Sequence, residues 1–337
     1  MLALILYLRR LAVKVLVTGA NGFIGSHLVE ALLQRGDEVR CLLRPTSNRR
    51  WLEGLDYEEV VGALDDRGAL ARAVAGVDVV YHSAGVTKAR KAEMMYKVNA
   101  EGTANLADAC LGRETPPYVV YVSSQAAAGP CREGDALREM DECAPVSHYG
   151  RSKLEGERAL EKRAAQLPYI ILRPSTIYGP RDTEMYLFFK FINRGIEPAL
   201  GWDERYVSLC YISDLVDALL LAGGKEKAGG EVYFVAHDEV WDWRGISRQA
   251  AAALGVRTFP VRIPKAVLFG AATVAELAAT LSGKVATLNR ERARVMWEEL
   301  WVCDISKARD ELSFAPRVGF AEGAKLTAAW YREQGWL

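Results

Sequence analysis

Short apolar runs alternate with amphipathic stretches through the first half of the chain. Val13, Val15, Leu16 and Val17 form an apolar run closed by Gly19, the pattern of a strand buried on both faces. Phe23, Ile24 and Leu28 then open a helical period that reaches Gln34 and stops at Gly36. Strands are expected at Glu38–Leu43, 57–61, 78–82, Tyr118–Val122 and 169–172, with helices at 66–75, 90–110 and 147–166. Strands separated by helices argue for a parallel sheet with right-handed crossovers and ligands at the strands' carboxyl ends. The expected fold class is therefore α/β, a Rossmann doubly wound sheet.

Beyond Pro174 the rhythm loosens. Helical patterns at 183–193, 213–222, Trp243–Leu254 and 321–334 are broken by glycine- and proline-bearing loops and by a strand at Glu231–Val235. Residues 1–175 are thus expected to form the dinucleotide-binding domain. Residues 176–337 would supply mainly a smaller α/β substrate-binding part, with some segments returning to the Rossmann sheet. The stretch 264–282 is apolar enough to resemble a membrane segment, but Glu276 interrupts it and small residues dominate, which predicts a packed helix. Met1 to Leu8 is apolar and is followed by Arg9 and Arg10. It is shorter than the roughly 20 residues of a span, and its basic residues follow rather than precede the apolar run. An extension of the first strand or an imprecise start site is expected, and no membrane span.

The first strand runs into Gly19, Gly22 and Gly25, spaced G-x-x-G-x-x-G. So tight a turn favours glycine, and the absence of side chains lets a pyrophosphate reach the amides at the helix N-terminus, where the dipole favours its charge. The common dinucleotide fingerprint has one residue fewer in its first gap. Composition adds exclusions. The 337 residues carry 43 basic and 43 acidic side chains, without the basic stripe and interleaved aromatics of a nucleic-acid binder. Six cysteines are scattered with no C-x-x-C pair, so no zinc site, other metal or disulfide framework is signalled, and a reducing cytoplasm is the expected compartment.

Tyr149 and Lys153 stand four apart on a predicted helix and share a face. An ammonium beside a phenol favours the phenolate, which would bring Tyr149 toward neutrality as an acid or base. The same spacing recurs at Tyr186 and Lys190, bracketing Leu187, Phe188 and Phe189, a core-facing helix edge. What distinguishes Tyr149 is Ser124, 25 residues earlier, at the end of the strand Tyr118–Val122. A hydroxyl there can share a carbonyl oxygen with Tyr149; read alone, the set is equally a solvated helix pair and an ordinary strand-end serine.

Six ordered motifs carry a resemblance over nearly the whole chain. They are Thr18 to Gly25, His82-Ser83-Ala84-Gly85, Asn99 with Gly102-Thr103, Tyr121-Val122-Ser123-Ser124, Tyr149-x-x-x-Lys153, and Leu172-Arg173-Pro174 through Tyr178-Gly179-Pro180-Arg181. Together they resemble the extended short-chain dehydrogenases/reductases, the NAD-dependent epimerase/dehydratase superfamily. The resemblance implies a nicotinamide dinucleotide on the glycine turn, bounded by Thr18, Gly19, Asn21, Gly22, Phe23, Ile24, Gly25, Leu64, Ala84, Gly85, Val122, Pro174 and Thr176. It further implies Tyr149 as acid/base, Lys153 bonded to the nicotinamide ribose, Ser124 orienting the substrate and Asn99 supporting the active-site side of its helix. A homodimer built on a helix pair is a further expectation from the resemblance.

Charge bears on the cofactor. A carboxylate about 20 residues past the glycines suits an adenosine ribose, and an arginine there suits a 2'-phosphate. That position is Arg44, followed by Ser47, Arg49 and Arg50, so NADP(H) is expected over NAD(H). Ala63-Leu64 stands where many relatives have Asp and an aliphatic residue, leaving Asp65 as the alternative adenine contact. Sugar-nucleotide dehydratases follow the serine with Asp-Glu, whereas here Gln125-Ala126 follows. Thr176 replaces an Asn common in epimerases and Val207 an Arg, with Arg205 as a substitute. Gln125, Arg181 and Arg205 are the candidate substrate contacts. The chain looks most like the branch of 3β-hydroxysteroid dehydrogenases and dihydroflavonol reductases, implying an oxidoreductase that moves a hydride between nicotinamide and a carbonyl or secondary alcohol of a small, uncharged substrate. The alternatives are a nucleotide-sugar epimerase and a non-catalytic NADP-binding redox sensor.

Overall fold

Seven parallel strands form the central sheet of the computed structural model, which describes residues 13–131, 135–225, 229–283 and 286–337. In chain order these are β1 (Lys14–Thr18), β2 (Glu38–Leu43), β3 (Glu58–Val61), β4 (Val79–His82), β5 (Tyr118–Val122) and β6 (Tyr169–Pro174), followed, after three strands outside this sheet, by Glu231–Val235. Those three are β7 (Thr176–Tyr178), β8 (Ile196–Leu200) and β9 (Tyr206–Tyr211), so Glu231–Val235 is β10. The spatial order is β10-β6-β5-β4-β1-β2-β3. Direction reverses at β1, which is where a doubly wound sheet opens its ligand crevice. Two apolar clusters cover the sheet's faces, one around Val15, Val17, Leu28 and Leu32, the other around Leu16, Leu70, Val80 and Leu106. Alternate residues of β1 thus enter opposite cores, and the strand reads as an unbroken apolar run.

Pairing register builds the site. Thr18 lies opposite His82 and His82 opposite Tyr121, so three polar side chains stand shoulder to shoulder at the strands' carboxyl ends. The remaining strands, β11 (Val240–Asp242), β12 (Phe259–Ile263) and β13 (Leu300–Trp301), belong with β7, β8 and β9 to two small sheets above that edge. Of these, 196–200 and 206–211 carried no expected strand: β8 has Glu197 and Pro198 side by side, which breaks any two-residue alternation, and β9 gains its partners only through long-range pairing.

Two expectations are corrected. The helix expected at 90–110 is three pieces: Ala92–Tyr96, a π turn at Lys97–Glu101 and Gly102–Leu111. The wider turn sets Asn99 inward, and its amide clamps the loop after β4 by accepting from Val86 N (2.8 Å) and donating to Val86 O (3.0 Å). The helix expected at 264–282 exists as Lys265–Ser282, but it is not packed: of its 18 residues only Leu268 and Ala272 are buried. Among the described residues it is the one helix long and apolar enough to cross a membrane.

Gly156, on the helix His148–Glu161, shows how closely that helix lies on the sheet. A Cβ there would fall 2.4 Å from Tyr121 Oη and 2.5 Å from Asn99 O. The Gly156→Ala variant is therefore expected to lose about 1–3 kcal/mol of stability, the usual range for overpacking. Urea denaturation of the two proteins measures it; an unchanged midpoint would contradict the close approach.

Candidate active site

The glycine turn follows β1 directly. Gly19 has φ 73°, a left-handed conformation, and a Cβ there would meet Ala84 N at 2.7 Å; one on Gly25 would meet Gly19 O at 2.1 Å. Both positions exclude any side chain. The helix Phe23–Arg35 starts at Gly22 with no side-chain cap and no acidic residue in its first turn, so its first N–H groups and positive dipole end face the crevice. This cradle fits a dinucleotide pyrophosphate. Phe23 and Ile24 are half-buried at the helix start, Asn21 is half-buried and Gly22 exposed. Ala84 N donates to Thr18 Oγ1 (3.3 Å), which closes the turn against the end of β4.

Beneath the crevice runs a buried polar chain. His82 is fully buried, with Nδ1 2.7 Å from Thr18 Oγ1 and Nε2 2.9 Å from Thr103 Oγ1; its ring stacks on Tyr121 at 5.2 Å. Thr103 Oγ1 donates in turn to Asn99 O (2.7 Å). Burial drives His82 down to about 3, helped by the neighbouring Lys153 charge, so it is a neutral structural histidine at ordinary pH.

The helix His148–Glu161 carries the candidate residues Tyr149 and Lys153. Ser147 caps it by accepting from Gly150 N (3.0 Å), and Glu291 accepts from His148 N (2.6 Å). Tyr149 is half-buried, and the Ser124 hydroxyl favours its phenolate. Ser124 Oγ also accepts from Ala126 N (3.2 Å) and so caps the short helix Gln125–Ala128. Lys153 is 3 % exposed; its Nζ donates to Val122 O (2.5 Å) and lies 4.2 Å from the centre of the Tyr121 ring. A Cβ on Gly85 would be 3.9 Å from that Nζ and 3.2 Å from Asn99 Oδ1. Ser124, Tyr149, Lys153, Asn99, Val122, Ala84 and Gly85 are thus gathered at the carboxyl ends of β4 and β5. Pro174 ends β6 and Thr176 begins β7.

One electrostatic expectation is corrected. Burial pushes the Tyr149 phenol up from its ordinary value, offset only in part by Ser124. Burial also draws Lys153 down to about 7, with Glu157 opposing. Desolvation outweighs the charge pairing read from the i,i+4 spacing.

Other expected contacts are engaged elsewhere. Arg181 bonds Ser26 Oγ (3.0 Å) and Glu30 (2.6 Å) on the glycine-turn helix, so it braces that helix instead of opening to a substrate. Arg205 donates to the carbonyls of Leu200 (2.5 Å), Asp203 (3.0 Å) and Trp297 (3.3 Å) and lies on the Trp297 ring. Asp65 pairs with Lys97 at 3.1 Å, while Leu64 packs against Gly102 and accepts from Asn105. Arg44 is exposed; Arg49 pairs with Glu59, and Arg50 donates to Gln334. Gln125 is buried, and its Nε2 has no hydrogen-bond partner among the described residues.

Sequence reasoning passed over Glu157 and Arg173. Both are buried and joined by two bonds (2.6 and 3.0 Å), and Ser123 Oγ donates to the same carboxylate (2.5 Å). The signal was present: Glu157 repeats the i,i+4 step after Lys153, and Arg173 is the one charged residue of an otherwise apolar strand.

His82 sets a pH dependence. Its folded pKa is depressed below the unfolded value, so the unfolded chain binds the extra proton between about pH 6.5 and 3. Stability held above that window is lost as pH falls through it, by a few kcal/mol for this group. Against a His82→Gln variant, the wild type is expected to lose its relative stability progressively over that range. Urea midpoints at stepped pH measure it, and a pH-independent difference would refute a neutral buried histidine.

Comparison with known proteins agrees with this geometry. The profile described as NAD dependent epimerase/dehydratase family matches residues 15–236. A ceramide reductase of Caulobacter vibrioides is 32% identical, covering 96% of each chain. A 4-hydroxy-2-methyl-3-oxo-4-farnesyl-3,4-dihydroquinoline-1-oxide ketoreductase of Stigmatella aurantiaca is 27% identical over 92% of this chain and 94% of its own. A Thermus thermophilus UDP-glucose 4-epimerase, solved with NAD, superposes with a TM-score of 0.75 at 26% identity, over 95% of this chain and 99% of its own. With its glycine turn, its Ser124–Tyr149–Lys153 face and these matches, the chain belongs to the NAD-dependent epimerase/dehydratase family.

Proposed function

We propose that this enzyme is an NADP(H)-dependent reductase that interconverts a ketone and a secondary alcohol on a small apolar substrate. The observation that carries the reading is that Ser124 acts on the Tyr149 phenol while a buried Lys153 stands one helical turn on, at the same strand ends as the glycine turn. Asn21, Gly22 and the first N–H groups of Phe23–Arg35 would hold the pyrophosphate, and Lys153 the nicotinamide ribose. When bound, the nicotinamide supplies or accepts a hydride at the carbon undergoing reaction. Tyr149, held protonated by burial, donates its phenolic proton to the substrate oxygen as charge builds there. Ser124 Oγ accepts from Ala126 N, which leaves its own proton to donate to the same oxygen. Hydrogen bonds at that oxygen act chiefly on the transition state.

An uncharged substrate is supported by the commitments of Arg181 and Arg205, neither of which offers a free guanidinium fork to a diphosphate. Gln125-Ala126 supplies no acid and base for dehydration. The relatives named as a ceramide reductase and a farnesyl-bearing dihydroquinoline-1-oxide ketoreductase lend the reading weight. Arg44, exposed where β2 ends, is the side chain proposed to take the 2'-phosphate. The six free thiols suit a reducing cytoplasm.

Two experiments test the proposal. Tyr149→Phe is expected to lower kcat by about 10²–10⁴-fold with cofactor binding retained; unchanged turnover would refute the role of Tyr149, and a wild type that binds cofactor without turnover on any ketone or alcohol would favour a redox sensor. Side-by-side titrations should show tighter binding of NADPH than of NADH. Arg44→Asp is expected to erase the difference by weakening NADPH about 10–100-fold, the scale of a lost charged hydrogen bond. A preference for NADH in the wild type would overturn the Arg44 assignment and make nucleotide sugars, and epimerisation, the first reaction to assay.

A further inference from the structure

We infer that the helix Lys265–Ser282 lies on an anionic lipid surface, its outward face set into the headgroup layer. The inference is independent of the reaction assigned above. Val267, Val274 and Leu281 recur every seven residues with Leu277 beside them, and they are 57, 68, 81 and 61 % exposed in that order. All four fall on one side of the helix, opposite Leu268 and Ala272, which seat it on Ala293, Leu200, Ile263 and Trp297. Water-exposed helix faces ordinarily carry charge; this one carries none. Its threonines are turned inward on the helix: Thr273 Oγ1 donates to Phe269 O (2.8 Å) and Thr280 Oγ1 to Glu276 O (2.9 Å). The helix's one carboxylate, Glu276, is paired with Arg290 at 3.0 Å.

Charge around the helix identifies the surface. The chain as a whole is neutral, yet residues 257–294 contain seven lysines and arginines against two glutamates, Glu276 and Glu291. Arg257 and Arg262 are exposed before the helix start, Lys265 lies over the Phe269 and Trp297 rings, and Arg294 is exposed on the neighbouring helix Arg290–Trp297. Trp202, 68 % exposed, follows Gly201, whose N–H bonds Ile263 O (3.0 Å) just before the helix begins. An uncharged, exposed apolar face on a segment with a surplus of basic residues is the pattern of an interfacial helix. A second copy of the chain fits poorly, because a two-fold contact through this face would bring two basic segments together. Leu268, Ala272 and the Glu276–Arg290 pair hold the first three turns of the helix to the protein, which sets it along a surface and not across a bilayer.

The test is flotation of the full-length protein with vesicles of phosphatidylcholine alone and of phosphatidylcholine mixed with phosphatidylglycerol. Binding to the mixed vesicles is expected to be about tenfold or more stronger and to weaken with added salt. The variant V274E/L277E is expected to lose about tenfold or more of that binding while its NADPH titration is unchanged, which shows that it is folded. Three results would overturn the inference: no flotation with either vesicle, equal flotation with both, or a wild-type dimer that V274E/L277E converts to monomer without any vesicle binding.

Discussion

An ammonium withdrawn from water is the constraint that shapes this site. Lys153 is nearly fully buried, and an isolated buried charge is costly unless partners are fixed around it. The structure supplies a carbonyl, Val122 O, an aromatic face, Tyr121, and a carboxylate deeper in the helix, Glu157. Each has to be held in turn. Tyr121 is clamped between His82 and the Gly156 backbone, and Glu157 is held by Arg173 and Ser123. Removing either partner of a buried pair typically costs about 3–5 kcal/mol, so the layer below Lys153 is rigid. Rigidity there fixes the height of Ser124 and Tyr149 above the sheet's edge. The hydroxyls of Ser124 and Tyr149 are placed by a polar layer buried beneath them.

That layer explains which parts of the site were legible in the sequence. The glycine turn and the strand-helix alternation are local: Gly19 needs its left-handed backbone, and Val15 to Val17 need burial on both faces, whatever the rest of the chain does. Tyr149 and Lys153 could be placed on one helical face by spacing alone. Their electrostatics could not, because the sign of the Tyr149 shift depends on desolvation by segments remote in sequence. The Glu157–Arg173 pair was missed for a related reason. A glutamate on a helix and an arginine at a strand end each read as solvent-facing until the strand and helix are stacked. Arg181 and Arg205 show the same limit from the other side: cations expected to meet a substrate are held by Glu30 and by backbone carbonyls.

The fold is least predictable where the chain leaves the central sheet. β9 takes partners from β7, β11 and β13, which are separated from it by loops or whole helices, and no local pattern encodes that meeting. The helix Lys265–Ser282 is the extreme case. Its composition argued correctly for a helix and wrongly for packing, because alanine and valine at helical spacing describe what a face can bury against and not whether the protein supplies the partner. The three-residue cluster beneath it, Leu268, Ala272 and Ala293, is detached from the two cores of the sheet.

The same separation has a mechanical consequence. The segment carrying this cluster also reaches the reactive helix, since Glu291 accepts from His148 N and Arg292 pairs with Glu184, which Lys88 also meets. A load on the outer helix is therefore carried to His148, one residue before Tyr149, and to the loop after β4, through ion pairs that are partly exposed and so individually weak. The buried polar layer beneath Lys153 resists such displacement; the apolar helix above does not. The molecule thus has a rigid floor, which sets the positions of Tyr149 and the glycine turn, and a loosely seated roof joined to it by weak ion pairs.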